Sequence, residues 1–104
     1  MNKDNEEYTK ILKALSDSNR LQIIDLLSCG EKCACELLHY FNITQPTLSH
    51  HMKVLIDCGV VETRKEGTWN YYNLNNINVN KFLIGFMGIV LESEKCKCIC
   101  SKIR

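Results

Sequence analysis

The sequence has no hydrophobic run long enough to cross a membrane: its one sustained apolar stretch, Phe82 to Leu91, is uncharged for only ten residues, about half of the roughly 20 that a spanning helix needs. That run should face protein, and no membrane partner is expected. Charge of one sign is also scarce, since 13 Lys and Arg against 12 Asp and Glu leave a formal +1. Charge alone therefore gives weak support for a nucleic-acid partner. The opening residues, Met1 to Glu7, hold neither an apolar leader nor a small-residue cleavage pattern, which predicts a cytoplasmic protein. There is no internal repeat and no interdomain linker, so one domain is expected over residues 1–93, followed by a polar, Cys-rich tail over 94–104. With 104 residues, 45% of them hydrophobic, that domain fills a core without a disulfide framework. Nor is there a CxxC beside a βαβ pattern, or a Cys with a plausible base and orienting partner, so no enzyme is expected.

Cysteine is what the chain does have, seven residues in all. A reducing compartment keeps thiols free and favours metal binding or redox chemistry over structural disulfides. Two tight sets stand out, Cys33 with Cys35 and Cys96 with Cys98 and Cys100, while Cys29 and Cys58 stand alone. Residues one apart are poor disulfide partners for each other but natural bidentate ligands for a soft ion. Lys95, Lys97 and Lys102 around the tail set favour thiolates there. Cys58, beside Gly59, reads as packing, and Cys29 stays open between packing and ligation. A store for soft ions held by the tail is a competing use of the same thiols, which DNA binding would set aside.

Hydrophobic periodicity predicts a mainly α fold with one β-hairpin. Tyr8, Ile11, Leu12 and Leu15 recur as the core stripe of a first helix. Asp17 or Ser18 can cap a second, with Leu21, Ile24 and Leu27 on one face and Gly30 at its end. A short third helix over about Cys35 to Phe41 buries Leu37, Leu38 and Phe41, with Cys33 and Glu36 in the positions of a capping box. After a tight turn, Thr44 or Gln45 caps a fourth helix with Pro46 in its first turn, running to about Cys58. Leu48, Met52 and Leu55 point inward, which leaves Gln45, Thr47, Ser49, His50 and Lys53 outside. Two short helices joined this way form a helix-turn-helix. Val60 to Lys65 and Trp69 to Leu74 then read as a hairpin turning at Gly67. The Asn-rich stretch from Asn73 to Asn80 is expected to be loop and cap, before a last helix striped by Val79, Phe82, Leu83, Phe86, Met87 and Val90. Ile84, Ile89 and Leu91 make that helix apolar nearly all round, and only a second copy could cover it.

Four segments in this order resemble the ArsR/SmtB family of bacterial metal-responsive repressors: Leu15 to Leu21, Glu31 to Leu37, Gln45 to Leu55, and Arg64 to Leu74. The resemblance runs from about Ile11 to Leu74. It implies a winged helix-turn-helix that forms a homodimer through its first and last helices and binds double-stranded operator DNA. Gln45, Thr47, Ser49, His50 and Lys53 would then meet base edges and phosphates, and Arg64, Lys65 and Thr68 would carry the wing to the DNA. His50 and His51, adjacent and about 100° apart on a helix, cannot share one atom. A polar DNA contact suits the first and packing the second.

The resemblance also implies that Cys33 and Cys35 belong to the metalloid site of the arsenic-responsive branch, where As(III) or Sb(III) takes three thiolates. The position of a third Cys in one version of that site is Leu38 here. Cys96, Cys98 and Cys100 are therefore candidates to complete the site or to form one of their own. No His follows His51 and no Cys precedes Cys29, so neither zinc at the final helix nor the N-terminal thiols of the cadmium and lead branch are expected. Cadmium, lead and reactive sulfur species remain alternative inducers of the same thiols. On a regular helix, positions two apart diverge by about 200°. Binding one ion at Cys33 and Cys35 is thus expected to deform the start of the third helix.

Overall fold

The computed structural model describes residues 3–91, and Cys96, Cys98, Cys100 and the expected boundary at 93/94 lie outside them. Five helices and three strands follow one another as α1 (Lys3–Leu15), α2 (Ser18–Leu27), β1 (Lys32–Cys33), α3 (Ala34–Tyr40), α4 (Gln45–Asp57), β2 (Val61–Glu66), β3 (Trp69–Leu74) and α5 (Asn76–Val90). This is a winged helix-turn-helix: α3 and α4 form the helical pair and β2 with β3 the wing.

Helices α2, α4 and α5 start where a side chain satisfies free amides. Asp17 Oδ1 accepts from the Asn19 and Arg20 amides at 2.8 and 3.1 Å, so the cap of α2 is Asp17 and not Ser18. Thr44 caps α4 by accepting from the Thr47 amide, with Pro46 in the first turn. The asparagines after the wing are not a loop. Asn73 ends inside β3, Asn75 caps α5 by accepting from the Asn78 amide at 3.1 Å, and Asn76 is already helical. Asn78 then spends its side chain on the Gly59 carbonyl at 2.9 Å. Asn has low helix propensity, but the side chains of Asn75 and Asn78 each have a backbone partner, and tertiary context outweighs propensity.

The core is centred on Ile23, Leu37 and Leu55, all fully buried, with Leu48 and Met52 of α4 beside them. Two expected faces shift. Leu12 and Leu21 are 40% and 52% exposed, whereas Ala14 and Ile23 are buried. Helix α2 carries Leu21, Ile23, Ile24, Leu26 and Leu27, so apolar residues surround it and periodicity alone does not choose a face. Packing against α4 and β3 selects Ile23 and Leu27.

The sheet holds a strand that the sequence pattern did not reveal. β1 pairs antiparallel with β3, Lys32 opposite Tyr72 and Cys33 opposite Tyr71, giving the order β1-β3-β2. Two residues are too few for alternation to register. Gly67 has φ 64 and no other residue of the turn has a positive φ, the combination of a two-residue type II′ hairpin.

Helix α5 buries Phe82, which meets Tyr8 of α1 edge to face at 5.8 Å and stacks on Phe86 at 5.5 Å. The two helices approach so closely that a Cβ at Gly85 would collide with the Tyr8 hydroxyl. Its other face is bare: Leu83, Ile84, Met87, Ile89, Val90 and Leu91 are all exposed. The expected stripe is therefore divided, with Phe82 against the core and Leu83, Met87 and Val90 left largely uncovered among the described residues.

Truncating Leu37 to Ala should cost about 2–5 kcal/mol, whereas Leu21→Ala should stay within about 0.5 kcal/mol, by urea unfolding at fixed protein concentration. Asp17 tests the cap through pH. The Arg20 amide first, then the Arg20 charge and the Asn19 amide, hold its carboxyl below the usual value. Its contribution is fully present above the unfolded-state carboxylate range and is lost as pH falls through the lowered folded value. Asp17→Asn, which keeps an acceptor at the cap, should flatten that acid limb of the stability curve.

Candidate thiol site and nucleic-acid interface

Cys33 has two structural duties. It is the last residue of β1, with φ −84 and ψ 164, and also the N-cap of α3. Cys35 lies two residues further on, in the first turn of the helix. Because Cys33 is extended rather than helical, the angular argument for a distorted helix does not apply. The two sulfurs meet at 2.9 Å with α3 regular. The angular premise for a deformation is therefore absent, since the sulfurs of the CxC pair already lie side by side.

Glu36 holds this junction. Its carboxylate accepts from the Cys33 amide at 3.0 Å while its own amide faces the Cys33 sulfur, the reciprocal arrangement of a capping box. Cys33 is buried and Cys35 exposed. The Cys33 thiol is pushed up chiefly by the hydrogen it shares with Cys35 and then by burial, with the Glu36 amide opposing. At neutral pH Cys33 therefore retains its proton, which any soft ion would have to displace. Cys35 is the accessible member of the pair.

The remaining cysteines of the described residues stay apart. Cys29 is exposed. Cys58 donates to the Leu55 carbonyl at 3.3 Å, and burial raises its pKa, in keeping with packing. Among the described residues, no group of three or more His, Cys, Asp or Glu side chains is arranged to hold a metal ion.

On α4, Gln45, Thr47, Ser49, His50 and Lys53 are all exposed on one side, while Leu48, Met52 and Leu55 are buried on the other. Lys53 pairs with Asp57 at 3.4 Å, but both side chains are more than half exposed, so the pair is weak. His51 is buried, and its Nδ1 lies 3.1 Å from Arg20 Nη1. A guanidinium only donates, so Nδ1 accepts and the imidazole proton belongs on Nε2. Arg20 Nε also donates to the Ala14 carbonyl at 2.5 Å. One arginine thus ties the end of α1 and the start of α2 to the middle of α4. Sequence reasoning passed over Arg20 because a single charge after a cap residue normally reads as solvated surface.

In the wing, Lys65 and Thr68 are exposed, as is Trp69. Arg64 is not a free cation. It donates from Nε and Nη2 to both carboxylate oxygens of Glu31 at 2.9 and 2.8 Å, donates from Nη1 to Glu66 at 2.6 Å, and lies over the Tyr71 ring at 4.6 Å. Glu31 is correspondingly held below its ordinary pKa by Arg64.

This architecture matches known proteins in sequence and in shape. Residues 17–63 match the family described as bacterial regulatory protein, arsR family. An arsenical resistance operon repressor of Staphylococcus aureus is 50% identical, with 89% of each chain covered. One of the same name from Staphylococcus xylosus is 59% identical, again over 89% of each. Among solved structures, a homodimeric winged helix-turn-helix DNA-binding domain from Mycobacterium bovis superposes with a TM-score of 0.68 at 32% identity, covering 82% of this chain and 78% of that one. On the match over residues 17–63 and on relatives 50% and 59% identical over 89% of the chain, the chain belongs to the arsR family of bacterial regulatory proteins.

Proposed function

We propose that this chain is a homodimeric repressor of an arsenical resistance operon, which binds operator DNA through α4 and the wing and releases it when Cys33 and Cys35 capture As(III) or Sb(III). The observation that carries the reading is the pair of sulfurs 2.9 Å apart at the head of α3, the helix that supports α4. Relatives named for arsenical resistance, at 50% and 59% identity, support the choice of inducer. The regulator acts in the cytoplasm, where thiols stay reduced.

Capture balances as a condensation. Arsenous acid exchanges its hydroxyls for sulfurs, and each thiol proton leaves with a hydroxyl as water. Cys33 and Cys35 supply two As–S bonds. The tail thiols Cys96, Cys98 and Cys100 are the proposed source of the third, from the same or the partner subunit. Zinc has no role at the final helix, which lacks His. Release follows if the ligand favours a geometry of the β1–α3 junction that fits DNA less well, since a ligand shifts an equilibrium only by its differential affinity.

The dimer forms across α1 and α5, where Leu83, Ile84, Met87 and Val90 lie bare. Doubling then presents two α4 helices to two half-sites. Gln45, Thr47, Ser49 and His50 meet base edges, while Lys53, Lys65 and Thr68 meet the backbone. Arg64 joins them only by exchanging Glu31 or Glu66 for a phosphate.

The decisive experiment is an anisotropy titration on the DNA upstream of the gene, with arsenite, antimonite, cadmium, lead, zinc and a persulfide donor as separate arms. Arsenite or antimonite should release the wild type, and Cys33→Ser with Cys35→Ser should bind the operator but ignore them. A wild type that stays bound in both, or releases only with another arm, refutes the inducer. Loss of release in the triple Ser variant of Cys96, Cys98 and Cys100 would assign the third sulfur to the tail. On α4, Ser49→Ala or His50→Ala should cost about 1–3 kcal/mol on the cognate operator and relax sequence preference, while Lys53→Ala should weaken all sequences and lower the salt slope by about one.

A further inference from the structure

Arg64 stands at the meeting point of the thiol segment and the wing. Across the sheet, Cys33 of β1 lies opposite Tyr71 of β3, and Tyr71 lies opposite Arg64 of β2, so the three form one row. The Arg64 side chain runs back along that row. Its guanidinium covers the Tyr71 ring at 4.6 Å and grips both oxygens of Glu31, two residues before Cys33. Its third nitrogen donates to Glu66 at 2.6 Å, and Glu66 is paired with Trp69 at the hairpin turn. β1 itself holds only two residues, so its backbone ladder is a short tether for the segment that carries the dithiol.

From this arrangement we infer that the Arg64–Glu31 pair is a strap coupling the dithiol segment to the wing, which makes Arg64 a positioning residue and not a phosphate contact. The inference rests on the proposed role of Cys33 and Cys35 in capturing an inducer. As a half-exposed ion pair the strap adds little to stability. Its value is geometric. A bidentate fork fixes both distance and direction, which a lysine ammonium does not. Any displacement of Glu31–Cys33 on ligand capture is carried through Arg64 to Glu66 and the turn without requiring the core to move. The two carboxylates also outweigh the guanidinium charge, which removes the electrostatic reason for Arg64 to seek DNA.

Trp69, the only Trp in the chain and more than half exposed beside Glu66, reports the wing directly. Sodium arsenite added to the full chain without DNA should consume the Cys33 and Cys35 thiols and shift Trp69 emission. Glu31→Gln and Arg64→Lys should bind arsenite as well as the wild type yet lose most of the shift, and the double variant should lose no more than either single one. An undiminished shift in both variants, or thiol consumption in the wild type with no shift, overturns the strap. If arsenite leaves the wild-type thiols free, the inducer reading fails, and the strap is decided by hydrogen exchange without ligand. Glu31→Gln should then speed exchange of the hairpin-tip amides several-fold, and unchanged exchange overturns it. Operator binding separates the rival role. If Glu31→Gln tightens binding and steepens the salt dependence, Arg64 is a masked phosphate contact and the strap is wrong.

Discussion

The backbone of Cys33 leaves β1 extended and turns directly into α3, and this junction fixes where the sheet, the dithiol and the helix-turn-helix sit relative to one another. Pairing with Tyr71 requires extended φ and ψ, and so does the N-cap of a helix. One residue meets both demands. Because it does, the Cys33 sulfur falls beside that of Cys35, Glu36 closes the cap on the Cys33 amide, and Leu37 enters the centre of the core one turn later. A Ser or Thr would be a better cap acceptor than a thiol. That a weaker acceptor stands here is consistent with a position whose sulfur has another use.

The fold was legible wherever a pattern ran long enough to repeat. Leu48, Met52 and Leu55 marked the inner face of α4 and Gly67 the hairpin turn, while the starts of α2 and α4 were narrowed to two residues each, of which Asp17 and Thr44 are the caps. Three features escaped for separate reasons. β1 is shorter than one period of alternation. The face of α2 is undetermined by its own residues, since Leu21 and Ile23 are equally apolar and only neighbours choose between them. The asparagines from 73 to 80 have turn composition but helical structure from 76 onward, because Asn75 and Asn78 each found a backbone group to bond.

For the site, the CxC spacing singled out two cysteines whose sulfurs the fold brings together, while the angular argument built on it assumed that both residues were helical. That assumption failed for want of β1. Arg20 and Arg64 mark a wider boundary. Sequence places a guanidinium but not its acceptors, and here those acceptors are the Ala14 carbonyl, His51 and the distant Glu31. Both arginines act as crosslinks between elements far apart in the chain, a role that no local pattern encodes.

These crosslinks bear on how a nearly neutral chain holds DNA. With a formal charge of +1 and Arg64 neutralised by Glu31 and Glu66, long-range attraction to the phosphates is weak for each subunit. Affinity must then come from short-range terms: hydrogen bonds from the exposed side of α4, backbone amides at its N-terminus, a few lysines, and the doubling of all of these in a dimer. Such an interface is sensitive to geometry in a way that a basic patch is not. Diffuse charge tolerates a shift of an ångström, whereas hydrogen bonds to base edges from two half-sites do not. On the proposed mechanism, a small rearrangement at the β1–α3 junction would then suffice to release the operator, and a larger positive charge would make the same protein harder to switch.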